Sequence, residues 1–383
     1  MSHQPAIVYV GSNNSDWIAM YGQYLPVVVY ALAGDDIVIA LNGGNVHIDA
    51  GEGNDYVFAE NNSDVTVFGG QGDDTVQVSN NWFASVYDFE GDNNVYSGGN
   101  FMLSVDLGDG DDDVYAVDSS YSSIYAGNGE NQVSAFNNGY IHINSGYGDS
   151  SLYAGQNHYV SASFQGGDNS VSIINNDQSW ITLGDGDDDV IVSGDEGDYA
   201  FVSTGGGDDV YRGFGEVRST VYLGSGDDVA QGSEGDEFLF GDWGNDILSG
   251  RGGNDVLIGG EGDDALFGGA GRDLLIGSEG RDLLVMTPGD TVYGGSDGDS
   301  FVFDPTYGAV GKVMIGDFNP YAGDTLDLSR LGITQNDLYK MPNGTIVAHN
   351  DYAGIDFAIE GMIGVNATSP AIITADEGWM LKG

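Results

Sequence analysis

Carboxylates are the side chains best placed to do chemistry in this sequence, and they recur at fixed intervals. Across residues 232–285 six nine-residue units follow one another without a gap: GSEGDEFLF, GDWGNDILS, GRGGNDVLI, GGEGDDALF, GGAGRDLLI and GSEGRDLLV. Each has glycine first and fourth, leucine eighth, and at the sixth place an acid: Glu237, Asp246, Asp255, Asp264, Asp273 or Asp282. Glycine tolerates left-handed backbone, so loops of this kind can turn carbonyl oxygens toward a shared point. The carboxylate adds a hard anionic oxygen. Calcium takes roughly six to eight oxygens in flexible geometry, which stacked loops can supply. The chemistry predicted is cation binding. Its candidate residues are these acids with the loop glycines Gly250, Gly253, Gly259, Gly260, Gly262, Gly268, Gly269 and Gly271.

Composition points the same way. The 383 residues hold 60 Asp and Glu against 9 Lys and Arg, a formal charge of −51, with 64 Gly and no Cys. Nucleic-acid binders need basic surface to displace counterions, and nine scattered cations do not supply it. Anionic membranes are disfavoured for the same reason. The longest apolar stretch, residues 25–33, contains a proline and falls far short of the ~20 residues of a spanning helix. A hydrophobic content of 40% with 22 Tyr argues against disorder. A compact fold this acidic would repel itself without counter-ions. The sequence therefore predicts a missing cation.

The elements that position these acids have a second period. Gly34, Gly53, Gly72, Gly91, Gly110, Gly129, Gly148, Gly167 and Gly186 are spaced by 19. Two residues after each stands Asp36, Asp55, Asp74, Asn93, Asp112, Asn131, Ser150, Asn169 or Asp188, and then, two further on, Val or Leu. Steps of 21 and 19 lead on to Asp209 and Asp228. A fixed period near 20 reads as a solenoid whose units bury their apolar faces only against their neighbours. Nineteen is close to two nonapeptides, so each unit is one full turn. One half of the turn keeps the loop, as in GEGND, GQGDD, GDGDD and GSGDD, and predicts one row of metal in this region against two rows in 232–285. The opposite half carries Asn62, Asn81, Asn100, Asn138, Asn157 and Asn176, which predict a hydrogen-bonded ladder. Where Asn or Ser replaces Asp, the metal row is expected to weaken, above all between Asn131 and Asn169. Alternation puts Val65/Val67, Leu103/Val105 and Ile141/Ile143 inward, and Ala40, Ala59, Ala116, Ala135 and Ala154 predict a thin core.

The nonapeptides resemble the glycine- and aspartate-rich G-G-x-G-x-D-x-U-x repeat of the RTX family. The resemblance implies an all-β fold, a right-handed parallel β-solenoid or calcium β-roll. It also implies calcium held between same-edge neighbours by loop carbonyls and sixth-position carboxylates. Asp228, Asp246, Asp264 and Asp282 are then expected on one edge, with Glu237, Asp255 and Asp273 on the other. Residues 313–338 are similar to the region that ends many RTX proteins, through Asp317, Phe318, Asp324, Leu326, Asp327, Leu328 and Ser329. In the family that end also carries an uncleaved type I secretion signal, which the terminal ADEGWMLKG does not closely match. The expected division is an N-terminal cap with a degenerate turn over 1–31, the 19-residue solenoid over 32–231, the nonapeptides over 232–285, and a C-terminal cap over 286–383. No Sec-type signal is visible in MSHQPAIVYVGSNN.

Phe83, Met102, Tyr121, Tyr140 and Tyr159 stand one per turn and predict an aromatic edge about 20 Å long at the rise between strands. That edge either stiffens the coil or meets a partner, a sugar ring or another copy of the chain. No H-E-x-x-H or G-x-S-x-G occurs, and His3, His47, His142, His158 and His349 form no catalytic pattern. Repeats occupy almost the whole chain. The expectation is a secreted, non-enzymatic calcium-binding protein that folds on extracellular calcium and acts in a layer, matrix or filament. The alternative is an extracellular glycan-binding module, ahead of a polysaccharide lyase or epimerase. Self-association or a surface glycan is the expected partner, with no nucleic acid and no membrane insertion.

Overall fold

The computed structural model describes residues 6–23, 25–307, 313–319, 321–328 and 330, and the backbone course of 338–340, 346–350 and 355–360. The terminal ADEGWMLKG, Ser329, His3 and the His349 side chain lie outside the described residues. The chain divides into two compact units, Met1–Val190 and Ile191–Gly383.

In Met1–Val190, β-branched and aromatic residues alternate with small polar ones, the pattern of a half-buried strand. Strands follow in pairs, one pair per turn, and each strand lies parallel to the strand one turn on. Asn45–Glu52, Asp64–Gln71, Phe83–Glu90, Met102–Asp109, Tyr121–Gly127 and Tyr140–Tyr147 belong to one sheet. Ile37–Leu41, Tyr56–Glu60, Thr75–Ser79 and Asn94–Gly98 belong to the other. Partners are 19 residues apart, as in Val57↔Val76 and Val46↔Val65. The inward valines and the five predicted alanines are buried. This is the parallel β-solenoid expected from the repeat period.

Two features hold the turns at their corners. Gly34 to Gly186 all have left-handed φ, from 99° to 159°, and a Cβ on Gly53 would lie 2.5 Å from the Gly34 carbonyl oxygen. Only glycine meets both demands. At the opposite corner the asparagine ladder forms as predicted. The Asn138 amide N–H donates to Asn157 Oδ1 at 2.8 Å, and Asn157 Nδ2 donates to Ala135 O at 3.0 Å. Ser119 stands in the one rung without Asn, its N–H donating to Asn138 Oδ1.

In Ile191–Gly383 the step shortens. Tyr199–Gly206 and Arg218–Ser225 pair at 19 residues, whereas Phe238–Trp243, Val256–Glu261 and Leu274–Glu279 pair at 18. The eighth-position leucines Leu239, Leu248, Leu257, Leu266, Leu275 and Leu284 are wholly buried, alternately in the two sheets. At the far end Thr325–Asp327 adds in parallel to Ser300–Phe303, and Phe318 packs on Phe301 with ring centroids 5.8 Å apart. Asp317 accepts from the Gly294 and Gly295 amides at 3.0 and 2.9 Å. The described part of that motif thus packs on the turn that contains Ser300–Phe303.

Candidate metal-binding loops

Each sixth-position aspartate is turned inward, and its two carboxylate oxygens have different surroundings. One oxygen accepts the amide N–H of the equivalent residue one turn earlier. In Ile191–Gly383 one column runs from Asp228 N to Asp246, Asp246 N to Asp264 and Asp264 N to Asp282, at 2.9, 2.8 and 2.9 Å. A second runs from Glu237 N to Asp255 and Asp255 N to Asp273, both at 2.9 Å. The two expected edges are therefore present. Both columns extend beyond residue 285, through Asp299 and Asp324 on one and Asp290 on the other. Unequal steps of 17 and 25 residues conceal these three acids from a nine-residue template.

The other oxygen has no protein partner. Oδ2 of Asp228, Asp246, Asp255, Asp264, Asp273, Asp282 and Asp299 is buried and accepts no hydrogen bond. An unpaired buried polar atom is costly, and a charged one more so. Burial, opposed by the accepted backbone N–H, pushes Asp246 up to about 6, Asp282 to about 7 and Asp255 to about 8, and raises Asp264 and Asp273.

The place these oxygens point to is identified by the first glycine of each repeat. A Cβ on Gly241 would run into Asp246 Oδ2 and sit 2.7 Å from Gly259 O, the carbonyl one turn on. Gly250 has the same relation to Asp255 and Gly268, and Gly277 to Asp282 and Gly294. Gly259, Gly268 and Gly294 face the Oδ2 of Asp264, Asp273 and Asp299. Missing methyl groups thus leave six slots, each faced by a carboxylate oxygen and, at Gly241, Gly250 and Gly277, also by the carbonyl oxygen one turn on. The second and fourth positions, Gly260, Gly269, Gly253, Gly262 and Gly271, have left-handed φ and turn the loop around each slot. No three His, Cys, Asp or Glu side chains converge among the described residues. A cation held here would draw its coordination mainly from the backbone, and hard oxygen donors with few charges fit calcium.

Not every loop is of this kind. Glu237 stands in the acid column, but Ser233 occupies both its oxygens, the hydroxyl at 2.8 Å and the amide at 3.0 Å. In Met1–Val190, Asp36, Asp55, Asp74 and Asp112 form the predicted column, each with a buried unpartnered Oδ2. Burial pushes Asp55 up to about 7 and Asp112 to about 6. The first-position glycine is mostly gone, however. Ala31, Ala50, Leu107 and Leu183 take its place before Asp36, Asp55, Asp112 and Asp188, all buried. Thr204 and Leu223 do so before Asp209 and Asp228, again buried.

Where asparagine replaces aspartate, the protein fills the position itself. Asn93 Nδ2 donates to Gly91 O at 3.0 Å, Asn131 Nδ2 to Gly127 O at 3.1 Å, and Asn169 Nδ2 to Gly167 O at 2.7 Å. Ser150 donates its hydroxyl to Gly129 O at 3.3 Å. An amide N–H points at loop carbonyls from the place where the aspartate Oδ2 would be. A further acid, outside the acid columns, was missed by sequence reasoning. Asp88 replaces an apolar residue of the core column, and burial first, then the charge of Asp74, hold it well above the usual carboxylate range.

A family model of the RTX calcium-binding nonapeptide repeat, four copies long, matches residues 30–66, 222–257 and 249–284. The chain carries RTX calcium-binding repeats. No curated protein matches it significantly. Five of the six glycine slots lie within or directly beside the two later RTX matches, and the slot at Gly294 lies beyond them.

The predicted aromatic edge is also assembled. Phe83, Met102, Tyr121, Tyr140 and Tyr159 are direct cross-strand neighbours, and all but Tyr159 are largely exposed. Tyr121 and Tyr140 stack with centroids 5.5 Å apart and planes 6° from parallel, beside a shallow groove of about 340 Å³. Of the described histidines, His47 lies against Phe68, His142 lines the groove and bonds Asn144, and His158 pairs with Asp177 and packs edge-on against Tyr140.

Proposed function

We propose that this protein is exported, folds as its loops take up extracellular calcium, and serves as a structural or surface-associated element rather than an enzyme. The observation that carries this reading is the row of buried, unpartnered Oδ2 atoms aimed into glycine slots. Metal that binds only the folded loops adds its binding free energy to folding. Calcium supplies there a divalent charge that neutralises the carboxylates. The residues Asp246, Asp255, Asp264, Asp273, Asp282 and Asp299 hold it, with the carbonyls of the next turn. Such loops stay unfolded where calcium is scarce, which favours an extracellular setting. No helix among the described residues is long and apolar enough to cross a membrane.

A second reading rests on the Tyr121–Tyr140 stack. Flat, exposed rings beside a shallow groove suit the apolar face of a sugar, so a glycan-binding module is the alternative. The test begins with protein freed of calcium. Millimolar calcium should convert a coil-like circular dichroism spectrum to a β spectrum, and ordered sheets or filaments should then appear by electron microscopy. A folded, persistently monomeric protein would move the assignment to glycan binding, to be tested with Tyr121→Ser and Tyr140→Ser on a carbohydrate array. No spectral change on adding calcium would end the calcium-folding reading.

A further inference from the structure

In Met1–Val190 the glycine slot recurs twice. At Gly11 the loop acid Asp16 is already satisfied by the Ser12 amide and hydroxyl. At Gly69 the loop acid is Asp74, whose Oδ2 is buried and unpartnered and would lie 2.5 Å from a Cβ on Gly69. The residue one turn on from Gly69, which in the nonapeptides contributes only a carbonyl, is here Asp88. Its Oδ2 also falls at the Gly69 Cβ position. Asp88 is 1% exposed, and neither of its carboxylate oxygens has a hydrogen-bond partner. Two buried carboxylates therefore converge on a space kept open by one missing methyl, with no side-chain donor between them.

We infer that Gly69, Asp74 and Asp88 form a separate calcium site of Met1–Val190, in which a core-column aspartate serves as a second carboxylate ligand. The same column holds Ala50 two turns before Asp88 and Leu107 one turn after it, both buried. An acid buried in an otherwise apolar column is unfavourable unless something positive meets it. The next loop cannot provide that, because Asn93 Nδ2 is turned to its own Gly91 carbonyl. With two carboxylates on one ion, this site is more acidic than the single-carboxylate slots of the nonapeptides, and higher charge favours tighter calcium binding.

This inference rests on the calcium reading, and the test separates the two. Native mass spectrometry of the full chain in limiting calcium counts the ions bound by wild type, Gly69→Ala and Asp88→Leu. Gly69 does not have left-handed φ, and both substitutions install residues that adjacent turns already carry, so both variants should fold. Each should bind one calcium fewer than wild type and lack the first ion to load. Equal counts and equal loading order in all three would overturn the site, a shared proton between Asp74 and Asp88 being then sufficient. A wild type that binds no calcium at all would overturn the site and the calcium reading together.

Discussion

Acid should stabilise this protein without calcium and weaken it with calcium. Burial raises the carboxyls that line the slots, Asp255 to about 8, Asp282 to about 7, and Asp246 to about 6. Ordinary unfolded values are near 4. A group with a raised folded value stabilises the fold below its unfolded pKa, and that contribution is lost as pH rises through the folded one. The window therefore runs from about pH 4 to about pH 8. At about 1.4 kcal/mol per tenfold change in proton affinity, keeping Asp255 charged in the metal-free fold costs on the order of 5 kcal/mol, and about half that if water at the loop edge screens it. A few such groups rival the whole stability of a typical domain. Calcium needs the deprotonated form, so its affinity should fall as pH drops through the same window. The assay is thermal unfolding by circular dichroism at pH 5 and pH 8, after calcium is stripped on a chelating resin. The metal-free protein should show a cooperative unfolding transition at pH 5 that is weak or absent at pH 8, and adding calcium should reverse the order. A metal-free midpoint that is flat or rises toward pH 8 would refute the argument.

Gly250→Ala places a methyl against Asp255 Oδ2 and 2.7 Å from Gly268 O, so calorimetry should show weakened calcium binding, and the metal-free fold at pH 5 should lose about 1–3 kcal/mol to overpacking. Asn157→Ala strips partners from the Asn138 amide and the Ala135 carbonyl and should destabilise by about 2–4 kcal/mol. That loss should be the same with and without calcium, since no metal slot lies on that corner. Hydrogen exchange at neutral pH in chelator should show rapid loss of protection over 241–282 and slower loss over 131–176. Uniform loss would mean that the amide-closed loops do not substitute for metal.

Much of the fold was legible because a solenoid writes its geometry into a period. Nineteen residues between Gly34 and its successors gave the turn, and alternation around Val65 and Val67 gave the inward face. The asparagine ladder was equally visible, since a buried corner repeated six times must satisfy its own amides. What could not be read was which loops keep a slot. That depends on the first-position residue, five places before the acid, and on what stands there one turn on. Ala50 and Gly69 look alike as small residues, yet one methyl separates a closed space from an open one. Asp88 was invisible because it breaks the apolar column instead of following the acidic one. Glu237 looked like another ligand, and only the structure shows Ser233 holding both of its oxygens.

The two kinds of loop solve one problem with different charges. In both, a side-chain oxygen receives the amide of the previous turn, which fixes the register of stacking. Aspartate then leaves a second oxygen facing the loop carbonyls, acceptor against acceptor, an arrangement that is repulsive until a cation enters. Asparagine replaces that oxygen with an N–H, and the same carbonyls gain a donor, as at Gly91, Gly127 and Gly167. Substituting Asn for Asp therefore exchanges dependence on calcium for a fold that closes by itself. Serine does the same from inside the loop at Ser12 and Ser233, where hydroxyl and amide together saturate the acid. On the proposed reading, calcium control in this chain is graded loop by loop. It is strongest where glycine opens the slot and aspartate faces it, and absent where an amide or hydroxyl already fills the place.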